Sequence, residues 1–376
     1  DLAEPTTIHW HGLRIPNAMD GVPGVTQPPI AAAGGTFDYA FACPDAGTFW
    51  YHPHLRSDTQ IERGLYGPVV VRGGMTPQVD RDRTFVLDDV KLNASGTLSE
   101  ATTQLDVMLG RQGNVVLANG MRNGRLVVRP KARERWRFIN SANGRYFNLR
   151  LAGHRFKVIS WDGGLLHEPY DTETLLIVPG ERYEVLVDFP DRAGTELSLQ
   201  TVYYDRGHDI PDVGPQTVFK LRVAGVTAKH TDLPDQWGSP VDVEPPEGAT
   251  ERELELTEAM PEGEEFAVFR INGKQFPEVP LIEARTGDVE IWRVYNNSEM
   301  DHPFHLHGAF FRVLDVDGAP PDQLGWKDTV NVPRMQTLRF AVRYGEPGTW
   351  MYHCHILEHA ERGMMGELKL SPLEER

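Results

Sequence analysis

Ten of the fourteen histidines fall in four clusters: His9 and His11; His52 and His54; His302, His305 and His307; His353, His355 and His359. Each cluster contains a His-x-His. In an extended strand residues i and i+2 point to one face, so each motif sets two imidazoles side by side. One such pair would mean little, but four pairs offer eight nitrogen ligands and mark metal chemistry. The last cluster reads His353-Cys354-His355-Ile356-Leu357-Glu358-His359-Ala360-Glu361-Arg362-Gly363-Met364-Met365. On a strand Cys354 faces away from His353 and His355, so one strand can serve two metal sites. On the cysteine side His302, His359 and a methionine would complete a His₂Cys set with a weak thioether, the arrangement of blue-copper electron transfer. Ligation by imidazole alone, on the other side, suits copper that binds dioxygen. Zinc fits poorly, because neither its structural nor its catalytic sites need eight clustered imidazoles. The isolated His154, His167, His208 and His230 read as surface or hydrogen-bonded core residues.

The elements that must position these ligands repeat. Gly47-Thr48-Phe49-Trp50-Tyr51-His52-Pro53-His54 matches Gly348-Thr349-Trp350-Met351-Tyr352-His353-Cys354-His355. Upstream of each lies a second His-x-His-Gly, His9 to Gly12 and His305 to Gly308. Two copies of one fold at the two ends of the chain account for this. Between them, residues 76–226 show the same strand and turn spacing without His-x-His and read as a third copy without ligands. Short β-rich runs alternate with turn signals throughout: 37–41, 68–71, 125–128, 183–187 and 338–342. Sustained helical periodicity is rare. The pattern argues for all-β sandwiches or barrels.

Composition narrows the function. The chain of 376 residues has a formal net charge of −16, against the basic footprint that nucleic-acid binding requires. Residues 226–265 hold twelve acidic residues against Lys229 and Arg252, with Pro234, Pro240, Pro245, Pro246 and Pro261 among them. This reads as a solvated linker running into the first strand of the last domain. The longest apolar runs, such as Leu175 to Val178, are far short of the roughly 20 residues that span a bilayer. The opening Asp1-Leu2-Ala3-Glu4-Pro5 is not a signal peptide, so an exported form would already have lost its leader. The two cysteines exclude a disulfide scaffold. Cys43, beside Ala42, Pro44 and Asp45, reads as a buried or semi-exposed thiol.

The chain resembles the multicopper oxidases, and among them the three-domain bacterial laccase-like enzymes. The resemblance covers nearly the whole sequence. It is carried by His9-Trp10-His11-Gly12, Trp50-Tyr51-His52-Pro53-His54, His302-Pro303-Phe304-His305-Leu306-His307-Gly308, and the segment from His353 to Met364. It implies three cupredoxin-like Greek-key β-sandwich domains: 1–75 with trinuclear ligands, 76–226 with none, and 227–376 with the acidic linker followed by type 1 and trinuclear ligands. Only eight residues precede His9, whereas about two strands precede His302 in the last domain. The first domain is therefore expected without its opening strands, leaving an edge to be covered.

The resemblance also implies four copper ions. His302, Cys354, His359 and axial Met364 match the type 1 ligands, with Met365 a weaker match. His9 and His305 match type 2. His11, His52 and His355 match one type 3 copper, and His54, His307 and His353 the other. A reductant would give single electrons at type 1, near a solvent-facing histidine. They would pass through Cys354 to His353 and His355, and dioxygen would become two waters. Asp20 matches the acid that supplies protons, though a turn-forming Asp before Gly21 is its plain structural reading. Several bacterial relatives carry Glu directly after the last histidine ligand; this chain has Ala360 there, with Glu361 next.

The expected reductant is a phenol or aromatic amine. The alternative is a metallo-oxidase of Cu(I), Mn(II) or Fe(II) in metal homeostasis, which the ten scattered methionines disfavour. A copper-binding structural protein of this fold would have lost ligands, and a copper nitrite reductase would have two domains. Family habit places the protein in the periplasm or outside the cell.

Overall fold

A computed structural model describes residues 2–99, 101–229 and 232–373. Strands form where apolar side chains alternate with polar ones, because alternate residues then share one buried face. Glu251–Ala259 shows the rule: Leu254 and Leu256 are buried while Glu251 and Glu253 are exposed.

The strands make five sheets. Near the N-terminus His9–His11, Gly47–His52 and Gly67–Val71 form one three-stranded antiparallel sheet. In the middle of the chain a six-stranded sheet, which includes Arg81–Val90, Arg133–Asn140 and Arg182–Asp188, accompanies a five-stranded one that includes Phe147–Leu151 and Glu196–Val202. One core of Phe85, Trp136, Phe138, Phe147, Phe219 and their aliphatic neighbours joins these two sheets. The C-terminal part has two five-stranded sheets over a core that includes Trp292, Phe304, Phe340, Trp350 and Tyr352. Parallel pairings of distant strands, such as Arg81–Val90 with Arg133–Asn140 and Glu251–Ala259 with Val289–Asn297, mark chain crossovers between sheets.

Two expectations are corrected here. Residues 37–41 form no strand: Tyr39 holds this segment by accepting a hydrogen bond from the Ile8 amide (3.1 Å) and donating one to Gln27 (2.8 Å), not through a backbone ladder. Cys43 is exposed, not buried or semi-exposed.

Register positions the chemistry. His9 lies opposite His52 in the first sheet. In the last sheet His305 lies opposite His353, and Phe304 opposite Cys354. The pleat therefore sends Phe304 and Cys354 into the core and His305 and His353 to the other face. Three short helices follow or cover these strands: Ser57–Glu62, Gln104–Leu109 and Leu357–Glu361. Gln104–Leu109 begins at a reciprocal Thr103–Asp106 capping box. Leu357–Glu361 turns the chain so that His359 comes back to Cys354. Among the described residues no helix is long and apolar enough to cross a membrane.

Candidate metal centres

Eight histidines from the two ends of the chain converge. Three groups have nitrogens lying within 4.8 Å of one another: His9, His11 and His305; His11, His52 and His355; His54, His307 and His353. The rings are tightly packed, with His11 stacked on His305 at 3.8 Å and His9 on His307 at 3.9 Å. His54 is half-buried and the other seven are buried.

Their hydrogen bonds decide which nitrogens are free. Nδ1 of His9, His52, His305 and His353 meets the carbonyl of Asp20 (2.8 Å), Pro53 (2.8 Å), Asp328 (2.9 Å) and Cys354 (2.8 Å) respectively. A carbonyl only accepts, so each Nδ1 carries the proton and each Nε2 keeps its lone pair. His307 Nδ1 donates to the Asp20 carboxylate at 2.8 Å. His11 is reversed: its Nε2 meets Thr329 Oγ1 at 3.0 Å, leaving Nδ1 inward. Nε2 of His9, His52 and His305, Nδ1 of His11 and both His355 nitrogens are buried without a partner. His353 Nε2 faces His307 Nε2 at 3.1 Å and His54 Nε2 at 3.4 Å. Buried lone pairs aimed at each other repel unless a cation lies between them, and this donor set fits copper.

Across the strand a second group forms. Cys354 Sγ lies 3.6 Å from His302 Nδ1 and 3.8 Å from His359 Nδ1, and the two nitrogens are 3.2 Å apart. Their outer nitrogens are occupied, His302 Nε2 by Ser298 Oγ (2.9 Å) and His359 Nε2 by the Met108 carbonyl (3.2 Å). Such outer contacts fix the tautomer and aim of a metal-binding imidazole. Met364 is buried in the same core and its carbonyl accepts from the Cys354 amide at 3.0 Å. Met365, half-buried, pairs with His353 instead. The expected solvent-facing histidine is corrected: His302 and His359 are both fully buried, because the helix Gln104–Leu109 of the middle region lies over His359.

Burial dominates the electrostatics. It pushes the pKa of His302 down to about 4 and of His353 to about 3, and holds His11, His52, His54, His307, His355 and His359 well below the usual range. Neighbouring imidazoles add to this for each of them. The rings are neutral near pH 7 and ready to bind metal without releasing protons. Burial likewise pushes the Cys354 thiol up, so a metal must displace its proton.

Two carboxylates touch the histidine cluster. Asp20 is 1 % exposed and approaches His9 Nδ1 to 3.2 Å besides bonding His307. Asp328 approaches His11 Nε2 to 3.3 Å and His305 Nδ1 to 3.5 Å. Asp328 and its neighbour Thr329 were not singled out by sequence, since neither stands in a histidine motif. Both oxygens of Asp328 are gripped by Arg182 of the middle region, at 2.6 Å each. Burial opposes its charge, but Arg182 and the histidine contacts hold its carboxyl well below the usual range. Lys327 bonds Glu181 (2.6 Å) and Asp162 (3.0 Å) beside this pair. Gly12 makes room: a Cβ there would lie 2.2 Å from the Arg182 guanidinium and 2.6 Å from Asp328, and its φ is +83°.

Glu361 is exposed and its Oε1 accepts from the Ser57 amide (2.6 Å) and hydroxyl (2.7 Å), so it reaches the helix after His54 rather than a histidine. Glu358 is buried, bonds Asn143 (2.8 Å) and the Arg111 amide (3.0 Å), and is pushed up to about 7 by burial. Of the isolated histidines, His154 and His167 bond nearby carbonyls at 3.1 and 3.0 Å, and His208 pairs with Glu258 at 2.7 Å. His230 lies outside the described residues.

Comparison with known proteins agrees along the chain. Family models described as multicopper oxidase match residues 1–75, 86–196 and 245–374. The chain is 32% identical to the multicopper oxidase mco of Staphylococcus epidermidis, over 99% of this chain and 78% of that protein. It is 28% identical to a laccase of Bacillus subtilis, over 97% and 80%. A solved multicopper oxidase of Campylobacter jejuni, described as a metallo-oxidase, superposes with a TM-score of 0.85 at 31% identity, over 99% of this chain and 81% of that one. A laccase-like oxidase of Ochrobactrum sp., described as active towards lignin model compounds, gives 0.84 at 30%, over 98% and 86%.

Proposed function

We propose a reaction for this chain, which belongs to the multicopper oxidase family: one-electron oxidation of phenols and aromatic amines coupled to reduction of dioxygen to two waters. The family makes it an oxidoreductase with copper cofactors and oxygen as electron acceptor. The observation that carries the finer reading is the junction His353-Cys354-His355, where one strand feeds two clusters of metal-type donors on its two faces.

In this reading four coppers are held. His302, Cys354, His359 and Met364 hold the type 1 ion. His9 and His305 hold type 2; His11, His52 and His355 hold one type 3 ion, and His54, His307 and His353 the other. Bound copper supplies one-electron redox chemistry on the cysteine face and a binding place for dioxygen among the eight imidazoles. Cys354 and its flanking peptide bonds are the covalent path between the two faces. Ser298 and the Met108 carbonyl hold the His302 and His359 rings with Nδ1 inward. Burial keeps the imidazoles neutral and excludes water from the path.

Protons enter through Asp20. It has no Lys or Arg partner among the described residues, whereas the other carboxylate, Asp328, is held ionised by Arg182. Three domains, 1–75, 76–226 and 227–376, and export to the periplasm or beyond complete the reading.

The scattered methionines favour organic reductants. A cleft lined by Asp205, His208, Asp209 and Glu299, with Arg334 paired to Asp205 on its wall, lies next to the strand that begins at His302 and favours the metallo-oxidase alternative. Steady-state rates separate them. With four coppers bound per chain, we expect dimethoxyphenol to be oxidised faster than Cu(I); the opposite ranking selects the metallo-oxidase.

A further inference from the structure

We infer that Arg206, from the middle part of the chain, sets the reduction potential of the type 1 centre by placing an unneutralised charge beside it. The inference rests on the assignment of His302, Cys354, His359 and Met364 to that centre.

Arg206 is 2 % exposed, yet it forms no ion pair with a carboxylate among the described residues. Its Nη2 donates to the Leu109 carbonyl at 2.5 Å, and its Nη1 is buried without a partner. The guanidinium lies over the Tyr146 ring at 5.2 Å. Two carboxylates adjoin the site in sequence and neither pairs with Arg206: Glu358 bonds Asn143 and the Arg111 amide, and Asp301 is held by neutral donors. It accepts from the Tyr204 hydroxyl (2.7 Å), Asn331 Nδ2 (2.7 Å) and the Arg334 amide (2.9 Å). Arg145, on the wall of the same small cavity, is already paired with Asp89.

The same contacts fix where this charge sits. Leu109 follows Met108, whose carbonyl holds His359 Nε2. The Arg206 carbonyl accepts from the Asp301 amide (2.8 Å), one residue before His302. Tyr146, beneath the guanidinium, packs in the core that contains Cys354. The guanidinium thus sits one residue along the chain from the carbonyl that holds His359, against a ring of the core that contains Cys354.

The sign follows. One thiolate and two neutral imidazoles leave a Cu(II) centre with one net positive charge and a Cu(I) centre with none. A fixed cation in a low-dielectric surround destabilises the more positive state, so it favours uptake of the electron that the reductant gives. Arginine keeps its charge where a buried lysine would shed it. A higher potential widens the set of phenols and amines able to reduce the centre.

The test is a redox titration of the intense visible band in the copper-loaded protein. We expect Arg206→Gln to lower the equilibrium constant for reduction at least about tenfold, which is about 59 mV for a one-electron couple. Gln112→Glu, on the wall of the same cavity, should lower it in the same direction by supplying the missing carboxylate while Arg206 stays packed. Arg206→Lys should fall with Arg206→Gln rather than with the parent, because a lysine buried there sheds its charge. If Arg206→Gln does not fold, Gln112→Glu decides alone. A visible band of unchanged strength with an unchanged potential in the variants overturns the inference. Absence of that band from the parent protein overturns the type 1 assignment instead.

Discussion

In the proposed reading a single residue joins the two chemistries. Cys354 is fully buried on the core face of its strand, and its neighbours His353 and His355 face the other cluster. Cys354→Ser should abolish the intense blue absorbance and the oxidation of reductants while copper among the eight imidazoles is largely retained. A surviving blue band, read by visible spectroscopy, would show that the thiolate is not the ligand. Asp328 carries a different load. It is the counter-charge of fully buried Arg182 and also steadies His11 and His305. Asp328→Asn leaves that guanidinium only its longer pair with Asp162 (3.4 Å), so it should destabilise the protein, by at most about 3–5 kcal/mol. It should also weaken copper retention by roughly 10–100-fold, as loss of an outer contact to a metal ligand does. Urea denaturation and competition with a chelator measure the two effects.

At the scale of elements, the turns between strands control the site. Gly180 ends the turn after the strand Thr174–Ile177, at φ +88°. A Cβ there would lie 2.8 Å from the His355 ring and 3.1 Å from the His11 ring. Gly180→Ala should therefore lower copper content at the imidazole cluster and leave the blue band in place; metal analysis beside the visible spectrum checks it. The helix Ser57–Glu62 carries a further handle, because burial pushes Glu62 up to about 7 from an ordinary 4.5. Its folded pKa is raised, so its share of stability is complete below about pH 4.5 and is lost as pH rises through about 7. Glu62→Gln should stabilise the protein above pH 7 by about 1–3 kcal/mol and have little effect near pH 4. Melting temperatures at the two pH values test the sign.

At the scale of the molecule, the centres are built where three parts of the chain meet. Among the described residues the middle region offers no side chain to these donor groups, yet it supplies Arg182 against Asp328, the Met108 carbonyl to His359, and Asn143 to Glu358. Removing copper exposes the cost of so many buried imidazoles. Their folded pKa values lie below the unfolded value of 6.5, so the unfolded chain binds more protons between about 3 and 6.5. The metal-free protein should lose stability as pH falls from 7 to 4, and the copper-loaded protein should lose more, because its bound imidazoles and thiolate take up no protons while those of the unfolded chain do. Unfolding midpoints of both forms across that range measure the difference. Equal pH dependence would contradict it.

Much of this was legible in the sequence, for a local reason. Alternation along a strand is dictated by the backbone, so the opposite facing of Cys354 and its two histidines follows from spacing alone. The repeated His-x-His and the turn-punctuated runs declare an all-β chain with two related ends for the same reason. What the sequence does not contain is the meeting of distant segments. That His11 stacks on His305, that Arg182 clamps Asp328 and that a helix covers His359 depend on packing between parts of the chain 100 to 300 positions apart, and carry no local signature. The failed strand at 37–41 makes the same point, since β-rich composition makes a strand only where a ladder partner exists. The donors of the site were written in the sequence; their outer contacts and their cover were decided by tertiary structure, because burial and electrostatics are properties of the assembled interior.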